Sequence, residues 1–158
     1  MPNPILKLGG AGISLSRKET AERLNPIIRK HYALNHTYEN AIASLQDRAT
    51  ADKLNEYQRN ARMDIGKLAD SIHSAGGVAY NGTDLEAADF SLSGGPDEIV
   101  RRLLDLEQDL QQTVVDEMKL KHQIRTLAIL GNVKANSQNR LDFLNELAKK
   151  HRPATANV

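Results

Sequence analysis

Four long stretches of helical periodicity dominate the chain, and the segments between them lack the alternation that is typical of a strand. In each stretch, apolar residues recur every three or four positions, as they do on the buried face of an amphipathic helix. The stripes run from Leu24 to Leu45, Leu54 to Ile72, Ile99 to Val114 and Ile124 to Leu147. This pattern predicts an all-α fold built from four helices.

Local signals place the ends of the first two helices. Ser16 and Glu19 have the spacing of a capping box, so the first helix is expected to begin near residue 17. Pro26 predicts either a kink or a restart of this helix at that point. Thr50 is expected to cap the second helix, and residues 76–77, both glycine, are expected to end it.

The connections differ strongly in length. Residues 78–96 form a crossover of about 20 residues, whereas the first and last connections are short. Pro96 opens the third helix, and we expect the third and fourth helices to separate at residues 119–122, a charged run ending in His122 that should face solvent. These lengths predict a four-helix bundle with one long connection between its second and third helices.

The 158 residues fit a single domain with its own core. Residues 1–15 are rich in Gly and Pro and lack periodicity, which predicts a flexible N-terminal arm. The bundle is expected to span residues 16–150, and residues 151–158 are predicted to be a disordered tail.

Composition excludes several classes of function. The net charge of +1 argues against non-specific nucleic-acid binding, which needs a strongly positive surface. The absence of cysteine excludes disulfides, iron–sulfur clusters and thiolate zinc sites. No apolar run approaches the roughly 20 residues of a membrane span, and residues 1–16 do not have the pattern of a secretory signal. We therefore expect a cytoplasmic protein that binds neither nucleic acid nor membrane.

Short motifs in the four helices carry a family resemblance. The first helix reads LNPIIRKHYALNHTY over residues 24–38, the second closes with AGG at residues 75–77, and the fourth contains RLDFL at residues 140–144. The third helix contains LDLE at residues 104–107. In this order they resemble the ferritin-like superfamily, in particular bacterioferritins and small bacterial ferritin-like stress proteins. The resemblance implies an up-down-down-up four-helix bundle with one long B–C crossover, and association into a homodimer.

The same resemblance implies where a di-iron centre would lie. Members of this superfamily bind iron through a Glu on the first and third helices and a Glu-x-x-His on the second and fourth. These six positions are here His31, Ala61, Asp64, Glu107, Ser137 and Arg140. Ala61 and Asp64 lie 30 and 33 residues after His31, and Ser137 and Arg140 lie 30 and 33 residues after Glu107. These equal separations in the two helical pairs support the alignment, whereas the alternative register with Asn60 and Met63 breaks the match.

The chemistry at these positions is poorly suited to iron. Only Asp64 and Glu107 are carboxylates, and the permanently charged Arg140 stands where the resemblance implies an imidazole ligand. We therefore predict that Arg140 pairs with Asp64, Glu107 or both, with His31 as a possible further member of the cluster. The expected protein is a metal-free ferritin-like bundle of structural, interaction or stress-related role, without a catalytic site or cofactor.

Two alternatives stay open. His31, Asp64 and Glu107 could form a mononuclear site for iron or another divalent metal. Alternatively, residues 78–96 could serve as the lid of a bundle that binds or converts a small molecule. Tyr38 is expected to pack in the core with its hydroxyl hydrogen-bonded.

Overall fold

Four long α-helices make up most of the computed structural model, which describes residues 15–151. We number them α1 (Arg17–Ser44), α2 (Arg48–Ser74), α3 (Pro96–Met118) and α4 (Ile124–Lys150). A short 3-10 helix, Ala87–Phe90, lies in the crossover, and residues 15–151 contain no strand. The predicted all-α class is confirmed. The predicted arm and tail lie outside the described residues, apart from Leu15 and His151.

The start of α1 agrees with its sequence signal. The Ser16 hydroxyl accepts from the backbone N–H of Glu19 at 3.1 Å, and the Glu19 carboxylate accepts from the backbone N–H of Ser16 at 2.8 Å. The helix continues through Pro26 instead of restarting there. Asn25 does not cap a new helix, because its side chain bonds the backbone of Val78 and Tyr80 in the crossover.

The N-cap of α2 differs from the predicted residue. Asp47 is the cap, and its carboxylate accepts from the backbone N–H of Thr50 at 3.3 Å and also from the Thr50 hydroxyl. Thr50 therefore lies inside the first turn. An aspartate in the capping position satisfies a free backbone donor and its charge favours the positive end of the helix, which explains the earlier start.

The crossover follows α1 along its length. Arg29 donates to Asp84 at 3.0 Å, and further along α1 the Asn40 amide donates to the carbonyl oxygens of Ala87 and Phe90 at 3.2 and 2.6 Å. Residues later in the crossover thus contact residues later in α1, so the crossover runs beside α1 in the same direction. The segment is held by side chains of α1.

The core lies where the four apolar stripes meet. Helix α1 packs against α2 and α3, and α4 packs against the same two helices. Buried aliphatic residues from every helix form the core, among them Leu24, Ile28, Leu54, Leu68, Leu103, Leu110, Leu130 and Leu144. The largest fully buried side chain in the described part of the chain is nevertheless Arg140. Polar groups must therefore surround it inside the bundle, because an unpaired buried charge is very costly.

Within residues 15–151, no helix has an apolar stretch of the length needed to cross a bilayer.

Two glycines near α2 give a matched test of packing. A Cβ added to Gly77 would lie 2.6 Å from the Ala21 Cβ, whereas a Cβ on Gly66 would meet nothing within 4 Å. We expect Gly77→Ala to lower the free energy of unfolding by about 1–3 kcal/mol, because α1 and the segment that follows α2 must move apart. Gly66→Ala should raise it by about 0.5–1 kcal/mol through helix propensity. Urea denaturation of both variants measures the difference, and equal effects would contradict the close approach at Gly77.

Candidate functional site

The interior of the bundle contains a buried cluster to which each helix contributes one ionisable residue. His31 lies on α1, Asp64 on α2, Glu107 on α3 and Arg140 on α4, and all four are fully buried. Arg140 contacts both carboxylates, and His31 lies beside Asp64. The structure thus brings together the four residues that were singled out from the sequence. We call these four residues the core cluster.

Arg140 is the centre of the core cluster. Its Nε and Nη2 donate to the two oxygens of Glu107 at 2.9 and 2.8 Å, in the bidentate geometry that a guanidinium favours. Its Nη1 donates to the Asn60 Oδ1 at 2.8 Å and to the Asp64 Oδ2 at 3.4 Å. Burial is the largest influence and would lower the pKa of Arg140, but the charge and hydrogen bonds of Glu107, together with Tyr38 and Asp64, hold that pKa above its ordinary value.

Glu107 accepts hydrogen bonds from three residues on two helices, α1 and α4. Besides the two bonds from Arg140, its Oε1 accepts from the Ser137 hydroxyl at 2.7 Å and its Oε2 from the Tyr38 hydroxyl at 3.4 Å. Tyr38 is fully buried, and burial followed by the charge of Glu107 raises the pKa of this phenol well above its ordinary value. Tyr38 therefore remains a neutral donor, and the carboxylate of Glu107 is surrounded by donors.

Asp64 is less well compensated. Its Oδ1 accepts from the Asn136 amide at 2.8 Å, and its Oδ2 has only the longer bond from Arg140. Burial raises the pKa of this carboxyl, and the hydrogen bond from Asn136 and the charge of Arg140 only partly offset that effect. The core cluster thus has one strong ion pair, between Arg140 and Glu107, and one weaker ion pair, between Arg140 and Asp64.

His31 is the neutral member. Its Nδ1 lies 3.0 Å from the carbonyl oxygen of Ile27, which can only accept, so Nδ1 carries the proton. Its Nε2 has no hydrogen-bond partner within residues 15–151 and lies 4.0 Å from the Asp64 Oδ2. Burial is the main cause that lowers the pKa of His31 to about 4, and the imidazole is therefore uncharged at neutral pH.

This pKa makes stability depend on pH. Between pH 6.5 and about 4 the unfolded chain binds a proton at His31 that the folded chain does not, so falling pH favours unfolding. The raised pKa of Asp64 acts in the opposite direction, so the histidine must be isolated by substitution. Between pH 7 and pH 4, we expect the wild type to lose about 3 kcal/mol more unfolding free energy than His31→Gln.

Urea denaturation at several pH values measures this difference. His73→Gln, on the exposed last turn of α2, is the control and should keep the pH profile of the wild type. A His31→Gln profile that also matches the wild type would contradict the assignment of a buried neutral imidazole.

Two members of the site were missed by sequence reasoning. Asn60 accepts from Arg140, and Asn136 donates to Asp64. Asn60 enters the sequence prediction only through the alternative register with Met63, which breaks the match. Because it lies one helical turn before Asp64 on the same face, it could have been found by asking which neighbours a buried guanidinium would need.

The residues at the six aligned positions do not fit a di-metal centre. Ala61 and Ser137, both fully buried, cannot supply bridging carboxylates, and both oxygens of Glu107 accept hydrogen bonds from Arg140. No group of three His, Asp or Glu side chains in residues 15–151 has an arrangement that could hold a metal ion.

A second cluster of ionisable side chains lies where α3 ends, with Glu117 and His122 buried and Arg23 exposed. The carboxylate of Glu117 accepts from Arg23 at 2.6 and 3.1 Å, and the Nε2 of His122 lies 2.6 Å from the same carboxylate. The prediction that the run ending in His122 faces solvent is wrong for this residue, which is buried. The chain turns here between α3 and α4, and the contact with Glu117 on α3 holds the imidazole in the interior.

Comparison with protein-family models gives no match for this chain, and comparison with curated proteins gives none either.

Proposed function

We propose that the protein is a ferritin-like four-helix bundle in which the core cluster takes the place of a di-metal centre, and that its role is structural or interactive rather than catalytic. The observation that carries this proposal is the Arg140 guanidinium, which donates to Glu107, Asp64 and Asn60 inside the bundle. A fixed positive charge at that position compensates the buried carboxylates and would repel a metal cation.

The contacts along α1 support an up-down-down-up order with a B–C crossover. The short connection before α2 favours antiparallel packing of α1 and α2. The crossover then runs beside α1 towards its C-terminal end, where α3 begins. Glu117, near the end of α3, meets Arg23 near the start of α1, so these two helices point in opposite directions. In this arrangement α2 and α3 point the same way.

The hydrogen bonding of the core cluster supports a structural role. Arg140, Asp64 and Glu107 are all fully buried and are bonded to one another or to neighbouring side chains. A buried, mutually bonded set of charges contributes little net stability but is costly to break, which favours one specific packing of the helices. We therefore propose that the protein is a cytoplasmic homodimer that acts through its surface in a stress-related role. Light scattering after gel filtration tests whether it is a dimer.

Aerobic loading with ferrous ion tests the proposal. After gel filtration, the wild type is expected to retain less than one iron per chain and to show no absorption from an oxo-bridged ferric pair. Retention of two irons per chain with that absorption would refute the proposal. One metal per chain that is lost in His31→Gln but kept in His73→Gln would instead support the mononuclear alternative.

A further inference from the structure

A small cavity of about 210 Å³ lies at one end of the bundle, away from the core cluster. The first turns of α1 and α4 and the last turn of α2 surround it. Its polar lining includes Arg17 and Thr20 from α1, Ser71 from α2, and Arg125 and Thr126 from α4. We call it the end cavity.

The first turn of α4 gives the end cavity free backbone donors. The N–H groups at the start of a helix have no acceptor within the helix and lie at the positive end of its dipole. Gln123, the N-cap of α4, makes no side-chain capping bond, and the first turn contains no acidic residue. Such an end is suited to bind an anion.

A buried hydroxyl without a partner points independently to a ligand. Thr20 is only 4% exposed and lines the end cavity. Its Oγ1 has no hydrogen-bond partner among the described residues. Because a buried polar atom without a partner is costly, such atoms in native structures usually meet a water, an ion or a bound molecule.

The side-chain charges favour an anion in the end cavity. Neither Arg17 nor Arg125 forms an ion pair with any residue between 15 and 151. Among the described residues, Asp70 is the single acid in the lining, so the charged side chains of this part of the chain sum to +1 there. Two arginines beside several hydroxyls are donors of the kind that bind phosphate oxygens.

We propose that the end cavity binds a phosphate group, either as free phosphate or as the head of a small phosphomonoester. The N–H groups of residues 124–126, the Thr20 hydroxyl and the guanidinium groups of Arg17 and Arg125 donate to its oxygens. This site is separate from the core cluster and does not depend on the role proposed for it.

Titration of the ¹⁵N-labelled wild type with inorganic phosphate tests the site without any substitution. Saturable amide shifts centred on residues 124–126 and on Thr20 are expected, against a chloride titration of equal ionic strength. Glycerol 3-phosphate is the second ligand: tighter binding than phosphate identifies a phosphomonoester site, and weaker binding a site for free phosphate. Shifts that are absent, or that chloride reproduces, would overturn the proposal.

Variants then test the donors by calorimetry. Arg125→Gln and Arg17→Gln should each weaken phosphate binding about tenfold or more, because each removes a charged donor. Thr20→Val should weaken it several-fold. Arg102→Gln, an exposed arginine on α3 outside the end cavity, is the matched control and should bind like the wild type. Equal losses in Arg102→Gln and Arg125→Gln would show a general charge effect and reject the site.

Discussion

Arg140→Met is expected to lower the free energy of unfolding by about 3–5 kcal/mol at pH 7. Methionine fills part of the space of the side chain but leaves the buried Glu107 carboxylate without its bidentate cation, and it removes the donors to Asp64 and Asn60. A buried charge that has lost its partner cannot regain solvation by water without opening the core. Urea denaturation followed by circular dichroism measures the loss.

The control for this prediction is Arg101→Met, which removes an exposed arginine from α3. Surface substitutions of this kind change stability by about 0.5 kcal/mol or less. If both variants lose the same small amount, Arg140 does not compensate a buried charge, and the central role of this residue is wrong.

Glu107→Gln is expected to lower the free energy of unfolding by about 3 kcal/mol or more, although the side chain keeps its shape. The substitution removes the negative charge that lies nearest to Arg140. The NH2 group of the new amide then faces the Arg140 guanidinium, which can only donate hydrogen bonds. The remaining anion, Asp64, lies at the longer distance of 3.4 Å. Thermal and urea unfolding measure the effect.

Glu22→Gln provides the comparison for this variant. Glu22 pairs with Lys18 on the surface of α1, where the two side chains are 63% and 85% exposed. A pair of this kind contributes about 0.5 kcal/mol or less. A loss in Glu107→Gln that is no larger than in Glu22→Gln would mean that the buried pair is not strongly coupled.

The helices could be predicted because their signals are local. The capping box at Ser16 and the break before His122 depend on neighbouring residues, and both agree with the structure. Two details of the helices depend on other residues. Helix α1 continues through Pro26, and Asn25 bonds the crossover instead of capping a new helix. Asp47 is the N-cap of α2 in place of the predicted Thr50.

The members of the core cluster were predicted from the family resemblance, and the equal separations in the two helical pairs supported that alignment. The structure places His31, Asp64, Glu107 and Arg140 in the interior. What spacing does not reveal is how a buried charge obtains its partners. Asn60 and Asn136 complete the bonding, and asparagine lies mostly at protein surfaces, so its presence in a sequence does not indicate a partner for a buried charge.

A double-mutant cycle between Arg140 and Glu107 tests the central claim most directly, namely that Arg140 supplies the positive charge that the buried carboxylates require. The cycle compares the wild type, Arg140→Met, Glu107→Gln and the double variant at pH 7 by urea denaturation. We expect a coupling energy of about 2 kcal/mol or more, so that the double variant loses much less than the two single losses combined. Losses that add to within about 0.5 kcal/mol would contradict the claim.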